Sequence, residues 1–271
     1  MRIRIPEFQT KKDRFEYLIQ NKARLIEQKK SMPIKSDPVF VVPQKVFSKG
    51  ATAFKNEDAE YSDPDVLRVK VVANTSNYID SHMDMLLPNG AQKSINERKG
   101  IIPFLHDHIH EIDAEIAKVV DIYYSDISLL ELGINQQGSA NVLIFLADII
   151  KEYNPKIFSK YKEGRIKQHS IGLQYMKLEL AINDSDYEKE QDFWNKYYPQ
   201  VINKEVADEM GFFWVVPEFK LIENSAVLFG SNQLTPTLEI FEPAESTQTK
   251  SIEPSKNTQM LEELNKLLTK F

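Results

Sequence analysis

The stretch Leu105-His106-Asp107-His108-Ile109-His110-Glu111 gathers three of the chain's five histidines and two carboxylates into seven residues. It is the densest group of proton-carrying and metal-ligating side chains in the sequence. Side chains alternate along an extended segment, so an extended stretch here presents His106, His108 and His110 on one face. Three imidazoles on one face suit zinc with an open fourth position for water, the arrangement of a metal-dependent hydrolase. The other reading keeps one histidine as a proton carrier and leaves its neighbours solvated in a turn. A second group is Gln168-His169-Ser170-Ile171-Gly172-Leu173. There a serine at a strand start precedes a glycine that lets a substrate backbone come close. Taken alone, such a serine is an ordinary hydrogen-bonded turn residue. The third group is Leu221-Ile222-Glu223-Asn224-Ser225-Ala226-Val227-Leu228, where Glu223 sits in an apolar strand and needs a partner. By itself it reads as half of a structural ion pair. The chain contains no cysteine, which removes disulfides, thiolate metal sites and cysteine nucleophiles together. Covalent chemistry is left to Ser, Thr, Lys or a carboxylate.

The elements that must position these residues follow from hydrophobic period. Phe15, Leu18, Ile19, Leu25 and Ile26 recur every three or four residues between Thr10 and Lys30 and predict an amphipathic helix, ended by Pro33 and Pro38. With the polar residues 43–65, it reads as an N-terminal appendage and linker spanning 1–65. Leu67 to Asn74 alternates and is valine-rich, which predicts the first strand of a core domain over 66–241. Further strands are expected over Ile101–Leu105, Ala117–Tyr124, Ser170–Ala181, Phe212–Val216 and Ala226–Phe229. Ser139 is read as capping a helix over Val142–Ile150 that runs on, with a break near Pro155, to about Lys162, and Tyr187–Met210 as mostly helical. Residues 242–271 read as a polar tether ending in the helical stripe Met260, Leu261, Leu264, Leu267 and Leu268.

In order, the Asp-rich turn after a strand (Asn74 to Asp84), the His-Asp-His stretch, Ser170-Ile171-Gly172 and Glu223 to Leu228 resemble the prohead maturation serine proteases of tailed bacteriophages. Those enzymes are similar in fold to the herpesvirus assemblins. The resemblance spans roughly residues 67–240, and its most specific pieces match that family's Ser-Ile-Gly-Phe and Glu-Val-Ser-Leu-Val patterns. Ala117 departs from it, standing where the family carries a glycine. The resemblance implies an α+β chain built on a mostly antiparallel, closed or nearly closed β-barrel of assemblin type. It implies Ser170 as nucleophile, His108 as general base with His106 and His110 as alternatives, and Glu223 orienting the base. A base must accept the serine proton before a hydroxyl becomes a useful nucleophile, and a carboxylate on the second ring nitrogen fixes the tautomer. No metal or cofactor is needed. The implied function is cleavage of scaffold and of the capsid-protein N-terminal arm, and of the enzyme itself; the tether is expected as one site of self-cleavage, and the terminal helix either docks the enzyme on scaffold or capsid protein or packs back on its own barrel. The implied partners are capsid and scaffolding proteins, the portal as a further candidate, and other copies of the chain. The implied location is the bacterial host cytoplasm, inside the prohead. A non-catalytic capsid-assembly protein is the rival outside the enzymes.

Charge and composition agree with a protein partner. Lys and Arg number 34 against 40 Asp and Glu, a net charge of -6, so there is no basic excess to neutralise a phosphate backbone. The 42% hydrophobic content is enough for a sizeable core. The longest apolar run, Val142 to Ile150, is broken by Asp148 and is far below the ~20 residues of a membrane span. Met1 to Pro6 lacks a signal-peptide core, and the expectation is a cytosolic protein that binds neither nucleic acid nor membrane.

Overall fold

The computed structural model describes residues 6–31, 52–55 and 63–242. The predicted terminal stripe from Met260 to Leu268 lies outside the described residues. In chain order the elements are α1 (Lys11–Gln20), α2 (Lys22–Ser31), β1 (Thr52–Lys55), β2 (Val66–Thr75), β3 (Asp84–Leu86), α3 (Gln92–Arg98), β4 (Phe104–His106), β5 (Glu115–Ser128), β6 (Ser139–Ile150), α4 (Pro155–Lys162), β7 (Gln168–Ile182), α5 (Glu188–Tyr197), α6 (Lys204–Met210), β8 (Phe212–Val227) and β9 (Thr237–Glu242). No helix among the described residues is long and apolar enough to cross a membrane.

The α+β class stands, but the barrel does not. The nine strands form one mixed sheet that is not closed into a barrel. Antiparallel pairs join β2 with β6 and β9, β5 with β4 and β6, and β7 with β8. Parallel pairs join β1 with β9, and β3 and β4 with β8. Because β7 runs along nearly all of β8, β3 and β4 must share the other edge of β8. β3 meets its first half and β4 its second, and that shared edge brings the loop after β4 beside the end of β8.

Three further expectations are corrected. Ser139–Ile150 is a strand, not a capped helix. β6 lies between β2 and β5, and Val142, Leu143, Ile144, Phe145, Ala147 and Ile149 are all fully buried. A central strand covered on both faces has no alternation to read, so its continuous apolar run resembles that of a buried helix. The helix starts instead at Pro155, where the Asn154 side chain accepts the Ile157 N–H at 3.0 Å and proline occupies the first turn. The two strands expected over 212–229 are one strand, β8, which continues through Pro217 where the β7 register shifts. Within 43–65, Thr52–Lys55 is a strand rather than loop.

The N-terminal segment is two helices, and it is no appendage. Thr10 caps α1 through the Asp13 N–H, and the chain breaks at Asn21, whose side chain bonds the Tyr17 carbonyl. Phe15, Leu18 and Leu25 are buried in the main core. Phe15 packs on Gly211, the left-handed residue that ends α6. A Cβ on that glycine would lie 2.7 Å from the Phe15 ring. Lys11 Nζ and Arg14 Nη1 donate to the Asp208 and Met210 carbonyls at 2.8 and 2.9 Å, so α1 holds the negative end of α6. Lys29, itself buried, reaches Asp84 Oδ1 at 2.6 Å, and the other Asp84 oxygen accepts the Tyr175 hydroxyl. Burial raises the Asp84 carboxyl pKa despite the lysine, and raises that of Tyr175 well above its ordinary value.

Removing one partner of such a pair strands the other charge in the interior. Lys29→Ala is expected to destabilise the protein by about 3–5 kcal/mol, read as a lower urea midpoint. An unchanged midpoint would return α1 and α2 to the status of an appendage.

Candidate active site

β4 ends at His106, and the next two residues, Asp107 and His108, have φ of 51° and 54°. The Ile109 N–H closes back on the His106 carbonyl at 3.1 Å, and the Asp107 N–H donates to the Ala226 carbonyl at 2.9 Å. This is a tight turn with both central residues left-handed, pinned to the end of β8. It breaks the alternation on which a three-histidine face depended. His106 turns to Asp107 Oδ2 at 3.1 Å, His110 is exposed, and only His108 is buried inward, at 4% exposure. Among the described residues no group of three or more His, Cys, Asp or Glu side chains is placed to hold a metal ion. The zinc reading of His106, His108 and His110 is therefore corrected: the turn points them apart.

His108 and Glu223 meet. His108 Nδ1 lies 2.5 Å from Glu223 Oε1, and Glu223 is 1% exposed. The second carboxylate oxygen accepts the Ser225 hydroxyl at 2.8 Å, and the Ser225 Oγ in turn accepts the His108 backbone N–H at 3.2 Å. The result is a closed ring of hydrogen bonds. With a carboxylate on Nδ1, that nitrogen carries the proton and Nε2 presents its lone pair. His108 Nε2 is buried and has no hydrogen-bond partner among the described residues.

Ser170 lies on the same face. In the β7–β8 ladder it stands opposite Ser225, and Gly172 stands opposite Glu223; directly paired residues present their side chains together. The Ser170 hydroxyl is also buried without a partner. Gly172, expected to make room for substrate, makes room for Glu223 instead. A Cβ there would lie 2.4 Å from Glu223 Oε1. The structure thus brings His108, Glu223 and Ser170 to one face of two neighbouring strands. It adds Ser225, which sequence reasoning passed over. The two-residue spacing of Glu223 and Ser225 in a strand was the available signal.

His169, next to Ser170, is held for another purpose. Its Nδ1 donates to the Thr235 carbonyl at 3.1 Å, and its Nε2 accepts the Tyr161 hydroxyl at 2.9 Å, so neither nitrogen is free. Burial drives its pKa down from 6.5 to about 4, and it fastens β7 to α4 and to the 230–235 segment rather than taking protons.

Ser170 lines a cavity together with Asn74, Asp80, His82, Tyr175 and Asn232. Asp80 organises its rim by accepting the His82 and Asp84 backbone N–H groups on one oxygen. Burial works to raise the Asp80 carboxyl pKa, but His82, the Asp84 N–H and Lys29 outweigh it and the pKa is lowered. Burial likewise lowers the His82 pKa, and the carboxylates of Asp80 and Asp84 more than reverse it. Comparison with protein-family models, with characterised proteins and with solved structures finds no match in any of the three.

Two outcomes follow from this geometry. The His108 Nδ1–H proton is expected to resonate strongly downfield in the wild type, and Gly172→Ala, by displacing Glu223, should abolish that resonance, as should Glu223→Gln. A persistent resonance in Gly172→Ala would mean that the glycine is incidental. For His169, the unfolded chain takes up a proton near pH 6.5 that the folded chain refuses until about pH 4. Its stability contribution is complete above 6.5 and lost as pH falls towards 4, by about 3 kcal/mol. Urea midpoints of His169→Asn should fall less steeply than wild type across that window.

Proposed function

We propose that the chain is a serine endopeptidase in which Ser170 attacks, His108 carries the proton and Glu223 orients His108, acting in the maturation of a phage prohead. The observation that carries this reading is the buried His108–Glu223 bond, which leaves His108 Nε2 unpartnered on the strand face that also holds the unpartnered Ser170 hydroxyl. A buried hydroxyl and a buried imidazole nitrogen that complement each other as donor and acceptor on one strand face are what a nucleophile and its base require.

In the reaction Ser170 Oγ bonds to the substrate carbonyl carbon while its proton passes to His108 Nε2. Glu223 stabilises the imidazolium through Nδ1–H. His108 then protonates the leaving amine as the carbon–nitrogen bond breaks, and water repeats the sequence to release the acid and free Ser170. None of these steps uses a metal or cofactor. The order of the Ser-Ile-Gly and Glu-Asn-Ser-Ala-Val segments supports the prohead-protease assignment and an assemblin-related arrangement of β7 and β8. Scaffold and capsid protein are the substrates that assignment names, with self-association inside the shell.

The test is processing of a co-expressed capsid or scaffolding protein. Ser170→Ala and His108→Ala should each lower the rate by about 10⁶-fold and Glu223→Gln by about 10⁴-fold. His106→Ala, His110→Ala and added EDTA should leave it near wild type. Normal cleavage by Ser170→Ala, or loss with EDTA and recovery with zinc, would overturn the proposal.

A further inference from the structure

The cavity beside Ser170 holds a side-chain donor whose direction is fixed and whose hydrogen bond is unmade. Asn74, near the end of β2, is 4% exposed and its Nδ2 has no partner among the described residues. Its other amide atom, Oδ1, accepts Asn232 Nδ2 at 3.1 Å. Asn232 cannot be turned over. Its Nδ2 also donates to the Thr75 carbonyl at 2.9 Å, and its Oδ1 accepts the Leu234 N–H at 3.0 Å. Rotating that amide by half a turn would set oxygen against oxygen at Thr75 and nitrogen against N–H at Leu234. Asn232 thereby forces Oδ1 of Asn74 towards itself and leaves the Asn74 NH₂ directed away from it. Asn74, Asn232 and Ser170 all line the one cavity.

A buried donor without an acceptor is destabilising, and Asn232 is arranged so that no acceptor among the described residues relieves it. An acceptor arriving from outside would relieve it. Resting on the serine-protease reading, we infer that Asn74 is a catalytic residue: its Nδ2–H donates to the oxyanion that forms when a carbonyl is attacked by Ser170. As the Ser170 Oγ–carbon bond forms and the hydroxyl proton moves to His108 Nε2, the carbonyl π pair shifts onto oxygen as a full negative charge. Asn74 meets that charge with a donor already in place, so no reorganisation is needed at the moment of reaction. The charge returns to the carbonyl when the leaving group departs. Asn232 is the positioning residue behind it.

The experiment uses the full chain and the burst of p-nitrophenol from p-nitrophenyl acetate, counted in excess of the Ser170→Ala background. Asn74→Leu removes both polar atoms at similar volume, and Asn74→Asp keeps the acceptor for Asn232 while replacing the donor with a carboxylate. Each is expected to lower the acylation rate by about 100- to 1,000-fold in a chain that still folds, with Asn74→Asp melting below wild type because it buries a carboxylate. Asn74→Asp also serves if Asn74→Leu does not fold. Acylation within threefold of wild type in a folded Asn74→Asp chain would overturn the inference and leave the protease reading standing. A wild-type burst no greater than that of Ser170→Ala would overturn both.

Discussion

The site depends on one interaction, the 2.5 Å contact between His108 and Glu223 in the interior. A carboxylate that has lost its water is expensive, and it is tolerated here because both oxygens are engaged, one by the imidazole and one by Ser225. Around this contact the backbone gives way. Asp107 and His108 take left-handed conformations that disfavour ordinary side chains by about 1–2 kcal/mol each, and β7 carries glycine at the position where any side chain would strike Glu223. Local preference yields at the points where the polar ring must close, as happens at functional sites.

The sheet makes that closure possible. β8 holds Glu223 and Ser225, β4 runs parallel to it and delivers His108 past its end, and β7 lies antiparallel on the other edge with Ser170. A second layer of buried polar contacts fixes the neighbours. Tyr161 and Thr235 hold His169 and so the start of β7. Lys29 from α2 holds Asp84, whose backbone N–H bonds the Asp80 carboxylate that lines the cavity rim. The N-terminal helices are therefore linked to the cavity through a chain of side-chain contacts, while their apolar faces complete the core.

Much of the site was legible because it rests on residue type and order: a serine before a glycine, a carboxylate in an apolar strand, a cluster of histidines. Choosing His108 among three histidines from spacing alone was beyond reach. The deciding feature is a turn at Asp107 and His108, residue types that tolerate positive φ but, unlike glycine, do not single it out. β6 was misread because a strand buried on both faces loses its period. The closed or nearly closed barrel rests on resemblance alone, whereas the pairing leaves the mixed sheet open. Asn74 was overlooked because its significance lies in the Asn232 amide, 158 residues away, which sets its direction.

The central claim is that the polar ring around Glu223 exists to activate Ser170. The most direct measurement is peptide mapping by mass spectrometry after treating the full chain with diisopropyl fluorophosphate. The account predicts a single phosphoryl adduct, on Ser170, that disappears in His108→Ala while the protein stays folded. No adduct on the folded wild-type chain, or one on Ser170 that forms equally fast without His108, would contradict it.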